Sequence, residues 1–330
     1  MTTKYSALAP VADDQLIIVA DEWHRLGHKV VFAFVIQTWG SSPRQVGSIM
    51  LIRDDQTIVG SVSGGCVEGA VVEAALTMID SAGCRRLDFG VADADAWEVG
   101  LSCGGEISIW LVSVADNYFA ADLLHKIGAL ITGREPFGLQ FNLVTGQVQM
   151  VSPPDASALD GTSFIFLQMP RPQLVIVGAV HISQHLAPLA TQIGFSVSII
   201  DPRGIFSTPD RFPGIALHNC WPDEILSKMV LDQETAMVTL THDPKIDDMA
   251  LQFGLSNPLF YVASLGSKKT HAARLERLAA AGFDSGACDR IHGPAGLNIG
   301  AKTPAEIAVS VAAELVSVYR QRKGAVDATG

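Results

Sequence analysis

From Leu174 onward the chain alternates short apolar runs with amphipathic stretches, and few folds satisfy that alternation. Residues 174–177 read as a strand, Gly178 opens a turn, residues 183–193 read as a helix closed by Gly194, and 195–200 read as a second strand ending in Asp201. Strand patterns at 236–240 and 259–263 then alternate with helical patterns at 244–253 and 268–281. Strand–helix–strand repetition of this kind builds a parallel sheet with helices on its faces.

Strand, glycine turn, helix, strand and acidic residue is also the layout of a dinucleotide-binding unit. Asp201 follows Gly178 at close to the usual spacing, so its carboxylate is a candidate acceptor for a ribose diol of NAD(P). The glycines do not complete the fingerprint. Val180 stands where bare backbone should approach a pyrophosphate, and Ser183 stands where close helix packing prefers glycine. An NAD(P)-dependent oxidoreductase is therefore the alternative function.

Three further turns in this half carry polar groups. Gly266-Ser267-Lys268-Lys269 follows a strand and opens a helix, so amides, a hydroxyl and two cations can converge on an anion such as a phosphate; equally, Ser267 is a helix cap with both lysines in solvent. His242 and Asp243 end a strand, where open α/β sheets bind ligands, and with Asp247 one turn into the next helix they are candidate polar contacts; equally, Asp243 before Pro244 is a natural helix cap. His292, in a glycine-proline turn, is a weaker candidate for the same crevice. Thr303-Pro304-Ala305-Glu306 carries a capping box for a last helix.

The first half reads differently. A helix at 13–26 ending at Gly27, a buried strand at 30–39 and a hairpin of 48–53 with 57–62 precede a helix at 66–80, and strands follow at 86–89 and 106–114. Ser41, Ser42 and Arg44 lie in a loop and are candidate anion contacts. Gly64-Gly65-Cys66 puts a thiol at a helix start, where the dipole favours thiolate, with Glu68 opposing. Cys103-Gly104-Gly105 puts a second thiol on a loop that a ligand can approach closely. Thiolates suit sulfur and transition-metal chemistry, so Cys66 and Cys103 are candidate ligands for molybdenum, or else small core residues.

Residues 1–117 are expected as an N-terminal domain, 118–171 as a connecting helix, hairpin and linker, and 172–330 as the C-terminal domain. The fold class is α/β: an N-terminal mixed α/β domain plus a C-terminal Rossmann-like parallel-sheet domain. The five cysteines contain no C-x-x-C pair, which excludes a disulfide framework and an iron–sulfur run and fits the cytoplasm. A formal charge of −11 without basic clusters argues against nucleic acid. No apolar run approaches the roughly 18 residues of a membrane span, and no signal peptide is evident. The apolar content of 48% leaves surface for self-association into a homo-oligomer.

Gly40-Ser41-Ser42-Pro43-Arg44, Ser63-Gly64-Gly65-Cys66-Val67-Glu68 and Cys103-Gly104-Gly105 together resemble the signature of the xanthine dehydrogenase accessory family (XdhC/CoxI). Asp201-Pro202-Arg203, Thr241-His242-Asp243-Pro244, Leu265-Gly266-Ser267-Lys268-Lys269-Thr270 and Ile291-His292-Gly293-Pro294-Ala295-Gly296 resemble that family's C-terminal Rossmann domain. The resemblance implies a chaperone that binds the molybdenum cofactor (molybdopterin), supports its sulfuration and delivers it to a xanthine or carbon monoxide dehydrogenase-type hydroxylase. It implies an apo molybdenum hydroxylase and a cysteine desulfurase as partners, and an accessory protein more than a catalyst.

Overall fold

The computed structural model describes residues 6–7, 12–40, 44–90 and 105–327. They form two compact units, Met1–Pro170 and Arg171–Gly330. The first contains β1 (Ser6–Ala7), α1 (Asp13–Arg25), β2 (Val30–Trp39), β3 (Ile49–Arg53), β4 (Thr57–Gly60), α2 (Glu68–Met78), β5 (Cys84–Phe89), β6 (Glu106–Ser113), α3 (Ala121–Thr132), β7 (Phe137–Asn142), β8 (Val148–Val151), β9 (Ala158–Asp160) and β10 (Ser163–Gln168). A mixed sheet runs in the order β1-β4-β3-β2-β6-β5, and a smaller antiparallel sheet in the order β8-β7-β10-β9.

The unbroken apolar run of β2 has a direct cause: both of its faces are covered. Val31, Ala33 and Val35 pack with Val71, Val72 and Ala75 of α2. Phe32, Phe34 and Ile36 face the opposite way, into a core with Leu16 and Ile17 of α1 and Leu124 and Ile127 of α3. The small sheet closes that core. Phe34 lies 4.7 Å from Phe141 and 5.5 Å from Phe166, centroid to centroid. From residues 118–171, expected as a connector, side chains including Phe119, Leu124, Phe137, Phe141 and Phe164 share one core with β2 and α1. The helix and the hairpin expected in this stretch are present as α3 and β7–β8, the hairpin turning near Gly146.

The second unit contains β11 (Gln173–Val177), α4 (His181–Gln192), β12 (Ser196–Ile200), β13 (Ala216–His218), α5 (Pro222–Leu226), β14 (Thr235–Thr239), α6 (Pro244–Ser256), β15 (Tyr261–Ser264), α7 (Lys268–Ala280), α8 (Ser285–Cys288), β16 (Ile291–His292) and α9 (Pro304–Asp327). Its sheet runs β13-β12-β11-β14-β15-β16 with every pairing parallel. Leu186, Ala187 and Ala190 of α4 and Val311 and Leu315 of α9 cover one face. Ile246, Ala250 and Leu251 of α6 and Leu278 of α7 cover the other. The order reverses between β11 and β14, which places the crevice of such sheets at their carboxyl ends. The capping box predicted for the last helix is present: Thr303 Oγ1 accepts from Glu306 N, and Glu306 Oε2 accepts from Thr303 N. No helix among the described residues is long and apolar enough to cross a membrane.

Candidate functional site

In the first unit, strand direction gathers loops that are remote in sequence. Trp39, the last residue of β2, pairs with Glu106, the first of β6. Met50, early in β3, pairs with Gly60 at the end of β4, and Phe89 at the end of β5 pairs with Ile107. The chain after Gly40, the loop after Gly60, the exit from Phe89 and the approach to Glu106 therefore leave one end of one sheet. Gly40 and Gly105 meet there: a Cβ on Gly40, whose φ is +75°, would sit 3.4 Å from the Gly105 Cα. Ser41, Ser42, Cys103 and Gly104 lie outside the described residues.

One carboxylate organises the Ser63-Gly64-Gly65-Cys66 loop. Glu68 Oε1 accepts from Ser61 Oγ at 2.6 Å, Ser63 N at 2.9 Å and Gly64 N at 3.0 Å. Its Oε2 accepts from Gly65 N at 2.9 Å and from Ser63 Oγ. Burial alone would raise the Glu68 pKa, but these donors outweigh it and hold the group down at about 2. The amides of Gly64 and Gly65 are thereby committed within the chain. This bonding also moves the helix start: α2 begins at Glu68, where pattern suggested residue 66, because the donors of Ser63–Gly65 are turned toward the carboxylate. Cys66 is left exposed on the loop, two residues before the helix. Arg44 is a tie between segments. Its Nε donates to the Ser61 carbonyl at 2.9 Å, and one terminal nitrogen reaches both oxygens of Asp13 at 2.8 Å. Among the described residues no group of three or more His, Cys, Asp or Glu is placed to hold a metal.

In the second unit the Gly178 turn closes on itself. Gly178 has a φ of +115°, and a Cβ there would lie 2.7 Å from the Thr241 methyl. Asp201 is fully buried. Its Oδ2 accepts from Ala179 N at 2.7 Å and Arg203 Nη2 at 2.8 Å, and its Oδ1 accepts from Arg203 N and Nε, both at 2.9 Å. Burial would raise the Asp201 pKa, yet Arg203 and the amides lower it. The oxygens that sequence offered to a ribose diol are thus already engaged. Ser183, where glycine was expected, is fully buried and donates its hydroxyl to the Gly178 carbonyl, which accommodates the larger side chain.

The other turns follow the same pattern. His242 is exposed with a φ of +63°, and its N–H goes to Asp247 Oδ2 at 3.0 Å. Thr241 adds its hydroxyl to Asp247 Oδ1 at 2.7 Å. Asp243 caps α6 by accepting from Lys245 N, and Ser267 caps α7 by accepting from Thr270 N. Lys268 and Lys269 stay exposed at the start of α7. A cavity of about 380 Å³ opens beside them, lined by Leu265, Lys268, Pro294, Gly296, Ile299 and Ser310 among others. Gly296 of its lining donates its N–H to Glu314 Oε2, which also accepts from Tyr261, and His292 Nδ1 meets Glu314 Oε1 at 3.2 Å. Beneath Gly266, the almost fully buried Arg274 donates to the Leu265 carbonyl, while its Nε has no partner among the described residues.

Sequence pointed to Glu68, as a carboxylate opposing a Cys66 thiolate, and to Asp247, as a polar contact beside His242 and Asp243, but not to the loop-holding role of either. Arg274 and Glu314 were not singled out, because they act on backbone that no local pattern connects to them.

Residues 23–90 match the family model described as "XdhC and CoxI family", and residues 174–315 match the "XdhC Rossmann domain". The chain belongs to the XdhC and CoxI family. Among its relatives, a probable xanthine dehydrogenase subunit from Bacillus subtilis is 28% identical over 317 residues, covering 89% of this chain and 94% of that one. "Molybdenum cofactor insertion chaperone PaoD" of Escherichia coli is 28% identical over 293 residues, covering 88% and 84%. A crystal structure from Bacillus halodurans, described as a xanthine dehydrogenase, superposes with a TM-score of 0.76 at 25% identity, covering 94% of this chain and 97% of the other.

Proposed function

We propose that this XdhC-family chain binds the molybdenum cofactor as cargo and hands it to an apo molybdenum hydroxylase of the xanthine or carbon monoxide dehydrogenase type. Likeness to the insertion chaperone PaoD along 88% of the chain carries the proposal. Finer parts of it are that the protein works in the cytoplasm as a homo-oligomer and presents the cargo to a cysteine desulfurase for sulfuration.

The residues fit such cargo in particular ways. The cofactor is a pterin bearing a dithiolene that holds molybdenum, and it ends in a phosphate. Cys66 offers a soft, exposed ligand at a loop end where Gly40 and Gly105 keep the backbone bare, and Cys103 is assigned the same role. The Gly64 and Gly65 amides hold that loop in shape for the thiol, because Glu68 already occupies them. Within the second unit, Lys268 and Lys269 at the start of α7 are offered by themselves as contacts for an anion such as a phosphate, with Lys268 on the rim of a cavity.

The test is anaerobic binding of the cofactor, followed by activation of a matched apo-hydroxylase, for the parent protein and for Cys66→Ala, Cys103→Ala and Lys268→Ala. Capture and activation by the parent, reduced in each variant, is the expected result. A parent protein that captures no cofactor ends the proposal.

A further inference from the structure

At the loop-bearing end of the first sheet lies a cleft of about 330 Å³, lined by Gln37, Trp39, Arg86, Asp88, Glu106 and Ser108 among others. Cross-strand register builds its floor. Gln37 pairs with Ser108, and Ser108 with Asp88, so their side chains form one row, with Trp39 and Glu106 paired in the next. Hydrogen bonds tie the floor together: Arg86 donates to Asp88 at 2.9 Å and to Ser108 at 3.1 Å, and Ser108 donates to Asp88. Three groups above it are unused among the described residues. Trp39 is 73% exposed, against 2% and 5% for Trp110 and Trp23 in the same unit. The Gln37 amide and the Glu106 carboxylate have no hydrogen-bond or ion-pair partner among the described residues. Gly90 leaves room for Glu106, since a Cβ there would lie 3.0 Å from its Cγ.

An exposed indole beside an unpaired carboxylate suits a flat heterocycle that carries a ring N–H next to an amino group. The ring stacks on the indole, and the two donors meet the two carboxylate oxygens. We infer that this cleft is the subsite for the 2-amino-4-oxo edge of the cargo's pterin: Trp39 stacks the ring, Glu106 accepts from its N–H and amino groups, and Gln37 and Arg86 donate to its carbonyl oxygen. This assignment rests on the cofactor-carrying proposal and names how that cargo's ring is recognised.

Guanine presents the same edge, so the test needs arms that separate the two. Free pterin, lumazine (which has a carbonyl in place of the amino group) and guanosine monophosphate are titrated by calorimetry and by ligand fluorescence into the full chain, Trp39→Ala, Glu106→Gln and Gln37→Ala. Pterin binding that weakens about tenfold or more in Trp39→Ala and Glu106→Gln is expected, with lumazine at least tenfold weaker on the parent. Both side chains are exposed, so circular dichroism should show all variants folded. Lumazine binding as tightly as pterin, or pterin binding unchanged in Trp39→Ala and Glu106→Gln, overturns the assignment. So does guanosine monophosphate binding as tightly with the same dependence. Capture of whole cofactor separates the failures. If the parent captures it and Glu106→Gln and Trp39→Ala do so equally well, only the subsite is lost; if the parent captures none, the carrier role falls with it.

Discussion

The Ser63–Cys66 loop of the first unit and the Gly178 turn of the second are built on the same device and end in different states. In each, a glycine turn leaves amide groups pointing inward, and a carboxylate from the same chain collects them. Glu68 gathers donors from Ser61, Ser63, Gly64 and Gly65 while the loop stays at the surface with Cys66 exposed. Asp201 is fully buried and bound to Arg203, so the turn above it is shut. A turn rich in glycine and free amides is therefore not by itself an anion site. What matters is whether the chain supplies the anion, and what remains accessible once it does.

The largest expected effect is on the first loop. Glu68→Ala leaves several donors without their acceptor and should destabilise the protein by about 3 kcal/mol in chemical denaturation. A shift below about 0.5 kcal/mol would show that the carboxylate does not organise the loop. Asp201→Asn should cost about 2 kcal/mol, less than a fully buried pair because Arg203 is about one third exposed. Its companion measurement is calorimetry of the parent with NAD(H) and NADP(H). Submillimolar binding would mean that the Asp201–Arg203 closure opens readily, and the contrast between the two turns would dissolve.

Acid sharpens the same contrast. The Glu68 pKa is lowered on folding, so its contribution is complete above its unfolded value and is lost as pH falls from about 4.5 toward about 2. Parent stability should drop across that window more steeply than that of Glu68→Ala. Asp247 acts in the opposite sense, since its pKa is raised chiefly by burial, but it is common to both proteins and cancels in the comparison. A smaller effect is expected at the α7 cap: Ser267→Ala should cost about 1 kcal/mol. Least of all, Cys66→Ala should leave stability within about 0.5 kcal/mol of the parent, since the thiol is exposed. A larger loss would make Cys66 a packing residue and weaken its proposed role toward the cargo.

Most of the fold was legible because its signals are local. The run over 30–39, the hairpin around Asp54-Asp55 and the strand–helix alternation after Leu174 follow from spacing and turn chemistry alone, and each is present at or near the expected bounds. The Asp243 and Ser267 caps were legible for the same reason. Less visible were the edge strands β13 and β16, which are two or three residues long and depend on pairing partners far away in the chain. The site was read less fully. Gly40, Gly64, Cys66 and Gly105 stood out as residues, but the meeting of Gly40 with Gly105 follows from the antiparallel pairing of β2 with β6, and Gly64 and Cys66 leave the same end of the sheet through β3 and β4, which periodicity does not encode.

Sequence by itself determined which stretches become strands and helices, and it marked the family through a set of glycine, cysteine and histidine turns. Tertiary structure decided what those turns can do. Glu68, Asp201 and Asp247 reach across loops to take the donors that sequence left open, and Trp39 and Glu106 come to share one cleft only through strand register. Backbone conformation is dictated by neighbours along the chain, whereas the partner of a hydrogen-bonding group is dictated by whatever packing brings within about 3 Å.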